Sequence, residues 1–505
     1  MLPPPTLETL DWIVLVGYLC ATFAISVWAS RRQATQSDYF MAGRSMLPIV
    51  AAFSLFATLF STTSFVAAPS EGYEHGVMML LGSVGYAICT PLAAGAFLKF
   101  FYGRGDSCTL YEYLEERFDW RARSLAAFAF LVGRTLYAAT ACFAGAKLLD
   151  AMAGWDPYWT ILGMIVFTTV YTTLGGMRGV MFTDFMQTCI MLVGVVVIWF
   201  SLSSLIGHDY SAVWAYAKEH QHTFDRVWSS EFYRFDIHER LTFWSLFLIY
   251  TVLRPFQDYG TDQLVVQRLL SAKSLADSKK AVYIKTAMSV PVMAVFYGLG
   301  LLLFYYYNNV ASEPAGVEPD KILPYFVTTM LEPPLPGLIA AAMLAALMST
   351  VSSVLNSLAT VTSIDFLQRW GFRPEGEARK VLVGRALTVG SGVVVLAISL
   401  ALLQIGGSVK NSIMEIGQVI LSLWGVVLVT VLAGVRTRQW ATTDAAAASL
   451  CAGIVVGSIV PYRFYFMVPP EERVSFLWLC VPGIITAAVV LVLVSLWQNR
   501  NRDSA

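Results

Sequence analysis

The chain carries little charge for its length. Only 13% of its 505 residues are Asp, Glu, Lys or Arg, and these balance to a formal net charge of zero. A neutral chain lacks the basic surface that binds nucleic acid, so no polyanionic partner is expected. Histidine is also scarce, with five residues. Because no catalytic or haem-binding constellation can be recognised, we do not expect an enzyme.

Disulfide and metal motifs are missing as well. The seven cysteines are scattered, without a CxxC pair or metal-ligand spacing, so we assign them no such role. The longest polar loops, near 207–240 and 308–328, are too short for a soluble domain. The first apolar stretch, 12–29, follows Glu8 and Asp11 rather than a basic segment. It has no clear cleavage site, so we interpret it as a retained helix.

Apolar residues make up the bulk of the sequence, at 57%, and the mean hydropathy is +0.62. Stretches of about 20 apolar residues recur along the whole chain, which predicts an all-α polytopic membrane protein of about thirteen helices. The predicted spans are 10–29, 47–68, 77–101, 123–152, 157–176, 181–205, 241–258, 281–307, 334–364, 382–404, 411–434, 440–461 and 475–497.

Lysine and arginine concentrate on alternate loops between these spans. The basic loops include residues 31–44, 99–123 and 369–385, and also the segment after 258 that carries Arg268. Since cytoplasmic loops hold an excess of basic residues, this pattern predicts an outside N-terminus and a cytoplasmic C-terminus in the cell membrane.

Between residues 345 and 365 the chain reads AALMSTVSSVLNSLATVTSID. At 100° per residue, six of its polar side chains fall on one helix face. They are Ser349, Ser352, Ser353, Asn356, Thr360 and Ser363. This polar stripe either coordinates an alkali ion or serves close helix packing, with hydroxyls bonding back to their own helix.

Two spans are poorly suited to continuous helix. The span 47–68 has consecutive hydroxyl residues in mid-membrane, and the span 241–258 contains Pro255, followed by Gly260. Each begins a unit of five helices, 47–205 and 241–434. This arrangement predicts one transporter domain built from an inverted repeat, with the leading helix 10–29 and extra helices at 440–497. Alternatively, Pro255 only kinks its helix.

Four segments resemble the sodium:solute symporter family, which includes sodium/glucose, proline, iodide, monocarboxylate and sialic acid transporters. They read DYFMAGRSM, VYTTLGGMRGVMFTDFMQ, TDQLVVQRLLSAKS and AALMSTVSSVLNSLAT, in the family's order. The resemblance implies a LeuT-like 5+5 inverted-repeat fold with a leading helix. It also implies sodium-coupled import of a small solute.

The resemblance further implies a first sodium site between the spans 47–68 and 334–364. Its ligands would be the backbone carbonyls of Ala57, Phe60 and Ala346 and the hydroxyls of Ser349 and Thr350. Neutral oxygens suit Na⁺, a hard cation, when they are held in place in advance.

Some family members hold a second sodium, and the matching positions are Asp184, Ser349, Ser352 and Ser353. Because both serines and the carboxylate are present, we expect two Na⁺ per cycle. The alternative for Asp184 is an acid near a helix start that complements the helix dipole.

Arg134 lies inside the span 123–152, where a buried guanidinium marks a partner or a substrate. Its planar fork fits a carboxylate, and sialic acid transporters of the family place an arginine on this helix. The alternative is a structural pairing with Glu415.

Further pocket residues follow from the resemblance. The matching positions are Ser61, Ser64, Ser83, Gln257, Asp258 and Tyr259. Arg254 and Asp258 are four residues apart and can pair on a helix. The span 77–101 has no acid, unlike the sugar transporters, which argues against a glucose-type pocket.

These residues together predict a symporter for a carboxylate such as sialic acid or a monocarboxylate. A sugar or another neutral solute is the alternative, and an ion channel or a transporter-like sensor is a remote one. The expected partners are the lipid bilayer, sodium ions and the solute, with the chain as a monomer.

Overall fold

The computed structural model describes residues 7–60, 62–103, 108–311, 317–405, 425–436, 440–469 and 472–503. Ser61 and Glu415 therefore lie outside the described residues, as does most of the predicted span 411–434. Within the described ranges the chain is nearly all helical and has no strand, only an isolated bridge between Met46 and Ala272.

The α-helices are numbered in chain order. They are α1 (Thr9–Ser30), α2 (Gln36–Met41), α3 (Pro48–Leu59), α4 (Thr62–His75), α5 (Met79–Tyr102), α6 (Glu112–Arg117), α7 (Trp120–Ala153), α8 (Pro157–Leu205), α9 (Tyr210–Glu219), α10 (Ser230–Tyr233), α11 (Arg254–Thr261), α12 (Gln263–Leu270), α13 (Leu275–Asn309), α14 (Pro319–Met330), α15 (Leu335–Val361), α16 (Glu377–Ile405), α17 (Val427–Arg436), α18 (Thr443–Pro461) and α19 (Val481–Asp503). A π-helix, Ser245–Leu253, precedes α11 directly.

Nine described helices are long and apolar enough to cross a membrane, or ten when α3 and α4 count as one bent span. Four of the thirteen predicted spans are not separate helices in this count. The spans 157–176 and 181–205 form one 49-residue element, α8, which bends at Gly176 (φ 54°, ψ −161°). The span 241–258 is divided among short helices, and the span 411–434 is mostly outside the described residues.

The predicted interruption of the span 47–68 is confirmed. Helix α3 ends at Leu59, and Phe60 has extended backbone angles (φ −99°, ψ 91°). The two helices that flank this break are bent by 59° relative to each other. The last carbonyls of α3 thereby lose helical donors, as at any helix end.

The interruption of the second span lies further along the chain than the sequence predicts. Pro255 lies just after the point where the π-helix Ser245–Leu253 passes into α11, and the backbone is helical on both sides of it, so the chain is not interrupted there. The break comes at Asp262 (φ −92°, ψ 110°), whose side chain accepts from the Leu264 N–H at 3.0 Å and begins α12. The chain therefore remains inside the protein until Leu270.

Helix α15 lies at the centre of the bundle. In its most apolar stretch 94% of the residues are buried, against 22% in the corresponding stretch of the neighbouring α16. Helix α1 is attached to the start of α15, because Asp11 Oδ1 accepts from the Gly337 N–H at 2.8 Å. The polar stripe thus faces protein on all sides, and each of its groups needs an internal partner.

Candidate ion and solute site

Oxygen atoms from the end of α3 and from α15 meet at the first break. The Ser349 hydroxyl donates to the Ala346 carbonyl at 2.9 Å and lies 3.4 Å from the Ala57 carbonyl. The Thr350 hydroxyl donates to the same Ala346 carbonyl at 3.1 Å. The structure therefore brings together four of the five residues predicted for the first sodium site.

Phe60, the fifth predicted residue, lies at the break itself. Its N–H donates to the Phe56 carbonyl at 2.7 Å, and its ring stacks on Phe56 and touches Phe296. The carbonyls and hydroxyls of this cluster are neutral and buried, and no carboxylate is among them. Such a set of hard oxygens suits a monovalent cation that has to be released again.

The residues predicted for the second sodium come from α15 and α8. The hydroxyls of Ser352 and Ser353 both donate to the Ser349 carbonyl, at 3.2 and 2.6 Å. Asp184 on α8 is fully buried, and its Oδ1 has no hydrogen-bond partner among the described residues.

A guanidinium lies between Asp184 and α15. Arg268 Nη2 is 3.1 Å from Asp184 Oδ2 and also donates to the Ser353 hydroxyl. Arg268 Nε donates to the Ser54 hydroxyl at 2.8 Å, and Ser54 donates to Asp184 at 2.6 Å. Asp184 and Ser353 are thus linked through an arginine. Asp184 is held by this ion pair, rather than acting only as an acid near a helix start.

Sequence reasoning missed this role of Arg268, since the orientation argument placed it in a cytoplasmic loop. That placement was wrong, because α12 is buried inside the protein and Arg268 itself is 0% exposed. A signal was available, since Arg268 is flanked by Val265, Val266, Leu269 and Leu270. Apolar residues on both sides of a single charge are typical of a buried helix rather than of a loop.

Arg134 is buried on α7, as the sequence predicts, and its carboxylate partner is Asp262. Arg134 Nη2 forms an ion pair with Asp262 Oδ2, while its guanidinium carbon lies 5.4 Å from the centre of the Tyr137 ring. Asp262 is the residue at the second helix break. The predicted alternative, a pairing with Glu415, lies outside the described residues.

Asp258 on α11 belongs to a second buried ion cluster. It accepts from the Tyr86 hydroxyl at 2.9 Å and from Arg254 Nε at 3.4 Å, so the predicted i, i+4 pair is present. The Lys285 ammonium lies 4.6 Å from the centre of the Tyr86 ring, and this side chain is 3% exposed.

The other predicted pocket residues that the structure describes lie on three helices, α11, α5 and α4. Gln257 and Tyr259 are both buried on α11, and the Tyr259 hydroxyl has no hydrogen-bond partner among the described residues. Ser83 on α5 lies close to the Tyr297 hydroxyl of α13. Ser64 on α4 is partly exposed.

Charged side chains of both signs lie around α11. Arg134 pairs with Asp262, and Arg254 pairs with Asp258, which also lies near Lys285. Charges in a largely buried setting depend on their partners, so a charged group of a ligand would compete with these pairs.

The remaining polar residues of α15 are held by side chains from elsewhere. Gln267 Nε2 donates to Asn356 Oδ1 and to the Thr360 hydroxyl, both at 2.9 Å. Ser363 accepts from Gln36 Nε2 at 3.4 Å. Asn356, Thr360 and Ser363 therefore have the helix-packing role that the sequence offered as the alternative to ion binding.

Membrane helices that are interrupted at two places, with hard oxygens at one break and paired charges at the other, define an ion-coupled secondary transporter. The chain belongs to the sodium:solute symporter family, whose sequence profile matches residues 39–453. It is therefore a sodium-coupled symporter for a small solute, in a family of multi-pass membrane transporters.

Curated relatives are similar over most of the chain. The sodium-coupled monocarboxylate transporter 1 of Homo sapiens is 28% identical over 489 residues, covering 94% of this chain and 76% of that protein. The sodium/sialic acid symporter NanT of Aliivibrio fischeri is 29% identical over 386 residues, covering 76% of this chain and 75% of that protein.

Solved structures support the fold. A Na⁺-coupled sialic acid symporter in a substrate-bound outward-open state superposes with a TM-score of 0.84 at 24% identity, covering 97% of this chain and 98% of that one. Mhp1, a nucleobase-cation-symport-1 family transporter, gives a TM-score of 0.56 at 13% identity, with 93% and 95% covered. The fold is thus the LeuT-like fold predicted from the sequence.

Proposed function

We propose that this chain imports a small organic carboxylate, of the sialic acid or monocarboxylate type, together with sodium by alternating access. The observation that carries the proposal is the oxygen cluster of Ala57, Ala346, Ser349 and Thr350 beside the first helix break. Sodium binding there joins α3 to α15, so it favours the conformation in which these two helices are in contact.

Arg134 supports a carboxylate over a neutral solute, because its buried guanidinium already binds a carboxylate, that of Asp262. A guanidinium can hold a carboxylate through two parallel hydrogen bonds, whereas a sugar offers it no anionic group. The solute's carboxylate would take the place of the Asp262 carboxylate.

The remaining features of the proposal concern topology and stoichiometry. We place the N-terminus outside and the C-terminus in the cytoplasm, from the distribution of basic loops. The domain consists of two five-helix units, 47–205 and 241–434, and works as a monomer without a chemical step. Two Na⁺ bind in each cycle, at the first site and at Asp184.

Sodium coupling is tested in proteoliposomes that are loaded with potassium and diluted into sodium or choline buffer. Ser349→Ala combined with Thr350→Val removes two of the cluster's oxygens. We expect the sodium concentration for half-maximal uptake to rise about tenfold or more, because each lost contact weakens ion binding by about 1 kcal/mol. The measurement is initial uptake of radiolabelled N-acetylneuraminate or lactate against sodium concentration.

Ser399→Ala is the matched control for this test. Ser399 is equally buried, but its hydroxyl bonds back to the Val395 carbonyl of α16 at 2.7 Å, away from the cluster. Its sodium dependence should stay that of the wild type. Unchanged sodium dependence in the double variant would remove the first sodium site from the proposal.

The carboxylate is tested at Arg134. Arg134→Gln should reduce uptake of N-acetylneuraminate or lactate by about 10- to 100-fold, because a charge-assisted hydrogen bond contributes about 1.5–3 kcal/mol. Arg121→Gln, on the same helix but paired with Asp119 at the surface, should leave uptake unchanged. Uptake of galactose in place of both acids would favour the neutral-solute alternative.

A further inference from the structure

Helix α12 is fixed at both ends by buried ion pairs. It has eight residues and is about 12 Å long. Asp262, directly before its first residue, pairs with Arg134 of α7, and Arg268 in its last turn pairs with Asp184 of α8. Each of these four side chains is at most 5% exposed.

The two partners of α12 are the residues that the proposed function assigns to the ligands. Arg134 would receive the solute's carboxylate, and Asp184 would receive the second sodium. Each ligand carries the same charge as the α12 side chain that now occupies its place. A carboxylate would replace Asp262, and a sodium ion would replace Arg268.

Arg268 and a sodium ion would compete for the Asp184 site, where only Asp184 Oδ1 is without a hydrogen-bond partner among the described residues. The guanidinium already donates to Asp184 Oδ2 and to the Ser353 hydroxyl, two of the oxygens that would coordinate the ion. Asp184 is also the one carboxylate in this contact set, so it neutralises one cation. Two cations a few ångströms apart in a buried site of low dielectric constant would repel each other strongly.

We propose that α12 is a coupling latch, which opens at its Asp262 end when a carboxylate binds Arg134 and at its Arg268 end when sodium binds Asp184. This inference rests on the proposed function and assigns the coupling of its two ligands to one element.

The latch explains why both ligands would be required for transport. Either ligand alone displaces one side chain of α12, while the ion pair at the other end still holds the helix. When both have bound, neither pair remains, and α12 can leave its position. Its movement would loosen Gln263, which donates to the Cys108 carbonyl at 2.7 Å, and Gln267, which donates to the Phe40 carbonyl at 2.6 Å. Coupling then arises from differential affinity for two conformations, and it is reciprocal.

The test uses the purified full-length protein and measures binding of Na⁺ and of N-acetylneuraminate or lactate by titration calorimetry. Asp262→Asn keeps the helix cap but removes the charge that competes for Arg134. We expect it to bind the acid about tenfold more tightly in choline buffer. Sodium should also bind several-fold more tightly, although Asp262 does not touch Asp184. Arg268→Gln should show the reverse pattern, with the larger gain for sodium and a smaller gain for the acid.

Two matched variants separate the latch from local effects. Arg268→Lys keeps a cation that competes with sodium, so its sodium affinity should remain close to that of the wild type. Asp156→Asn changes the residue that caps α8 at the surface, through the Tyr158 N–H at 2.9 Å, and should change neither affinity. Thermal melting and gel filtration confirm that each variant is folded.

The outcomes distinguish the latch from the function on which it rests. If each substitution changes only the ligand at its own end, the latch is wrong while both sites stand. If Arg268→Gln fails to fold, Arg268→Gln with Asp184→Asn removes both charges, and it should lose the second sodium but keep the first. If that variant still binds two sodium ions, the proposed replacement of Arg268 by sodium at Asp184 is wrong. If the wild type neither binds nor takes up the acids, the proposed function is refuted. Tighter sodium binding by Arg268→Gln would in that case still support the sodium end of the latch.

Discussion

Gln267 shows how a single buried amide is satisfied inside a membrane protein. The two N–H groups of its Nε2 face three acceptors, the Phe40 carbonyl, Asn356 and Thr360, and its Oε1 accepts from Ser357 at 2.8 Å. The hydrocarbon interior offers no water, so every one of these groups depends on the others. One side chain of α12 therefore connects the segment before α3 to the centre of α15.

Replacing this amide should have a measurable cost. Gln267→Leu preserves the approximate volume and removes three hydrogen bonds, two donated by Nε2 and one accepted by Oε1. At about 0.6 kcal/mol for each bond between membrane helices, we expect a loss of about 2 kcal/mol in the free energy of unfolding. The measurement is reversible unfolding in detergent. Gln187→Leu, which removes the bond to the Tyr18 hydroxyl at 3.0 Å, should cost about a third as much. Equal losses would contradict the special role of Gln267.

Partners of this kind explain what the sequence could and could not predict about single residues. The positions of Ser349, Thr350 and Arg134 as buried polar groups follow from apolar surroundings in the sequence. Their partners do not, because Arg134 and Asp262 are 128 positions apart and Arg268 and Asp184 are 84 apart. Helical periodicity relates residues within one element only, so it cannot pair side chains from different helices.

Among the elements, α8 combines great length with one sharp bend. Gly176 has φ 54° and ψ −161°, which L-residues with a side chain avoid. A Cβ atom there would also come within 2.9 Å of the Tyr39 carbonyl oxygen. The bend is what lets residues 157–205 cross the bundle twice, and it places Asp184 eight positions beyond the turn.

Gly176→Ala should therefore destabilise the protein by about 2 kcal/mol or more, from backbone strain together with the contact to Tyr39. Gly163→Ala, in the straight part of the same helix, has nothing within 4 Å of the added Cβ and should be neutral or stabilising by up to about 1 kcal/mol. The midpoints of thermal unfolding of the two variants give the comparison. A destabilised Gly163→Ala variant alongside a stable Gly176→Ala variant would refute the argument.

The two helix breaks differ in how well local sequence reveals them. The first is readable because consecutive hydroxyl residues follow Phe60 in mid-membrane. The second was placed near Pro255, although the chain continues as helix through that residue to Thr261. Pro255 is accommodated within a helix that widens to a π-helix directly before it, while Asp262 ends one helix and caps the next. A residue that ends one helix and begins the next has no distinct sequence pattern before the fold is known.

On the scale of the whole molecule, ion pairs to the buried carboxylates Glu71 and Asp365 lie at opposite ends of the bundle. At the end where α1 begins, Arg240 pairs with Glu71 of α4. At the opposite end, Arg123 donates to Asp365 and to Glu115, each at 2.7 Å. Alternating access requires that the two ends open in turn, so these pairs should respond separately.

Native Cys108 offers a probe for this separation, because it lies beside the network of Arg123, where Thr109 donates to Asp365 at 2.9 Å. Arg123→Gln should raise the labelling of Cys108 by a membrane-impermeant maleimide several-fold, as measured by mass spectrometry of the purified protein. Arg240→Gln breaks the pair at the other end and should not raise it. Equal labelling of the two variants would mean that the ends do not open independently.

The π-helix Ser245–Leu253 bears on how this chain is compared with its relatives. A π-turn accommodates one more residue than an α-turn over the same rise, so an inserted residue can be absorbed without moving the helices on either side. Where a relative has an ordinary α-helix here, an alignment should place its gap within 245–253. Arg254, Asp258 and Asp262 would then be matched to the residues that occupy the same positions in space. An alignment without that gap would match each of them to a residue one position away.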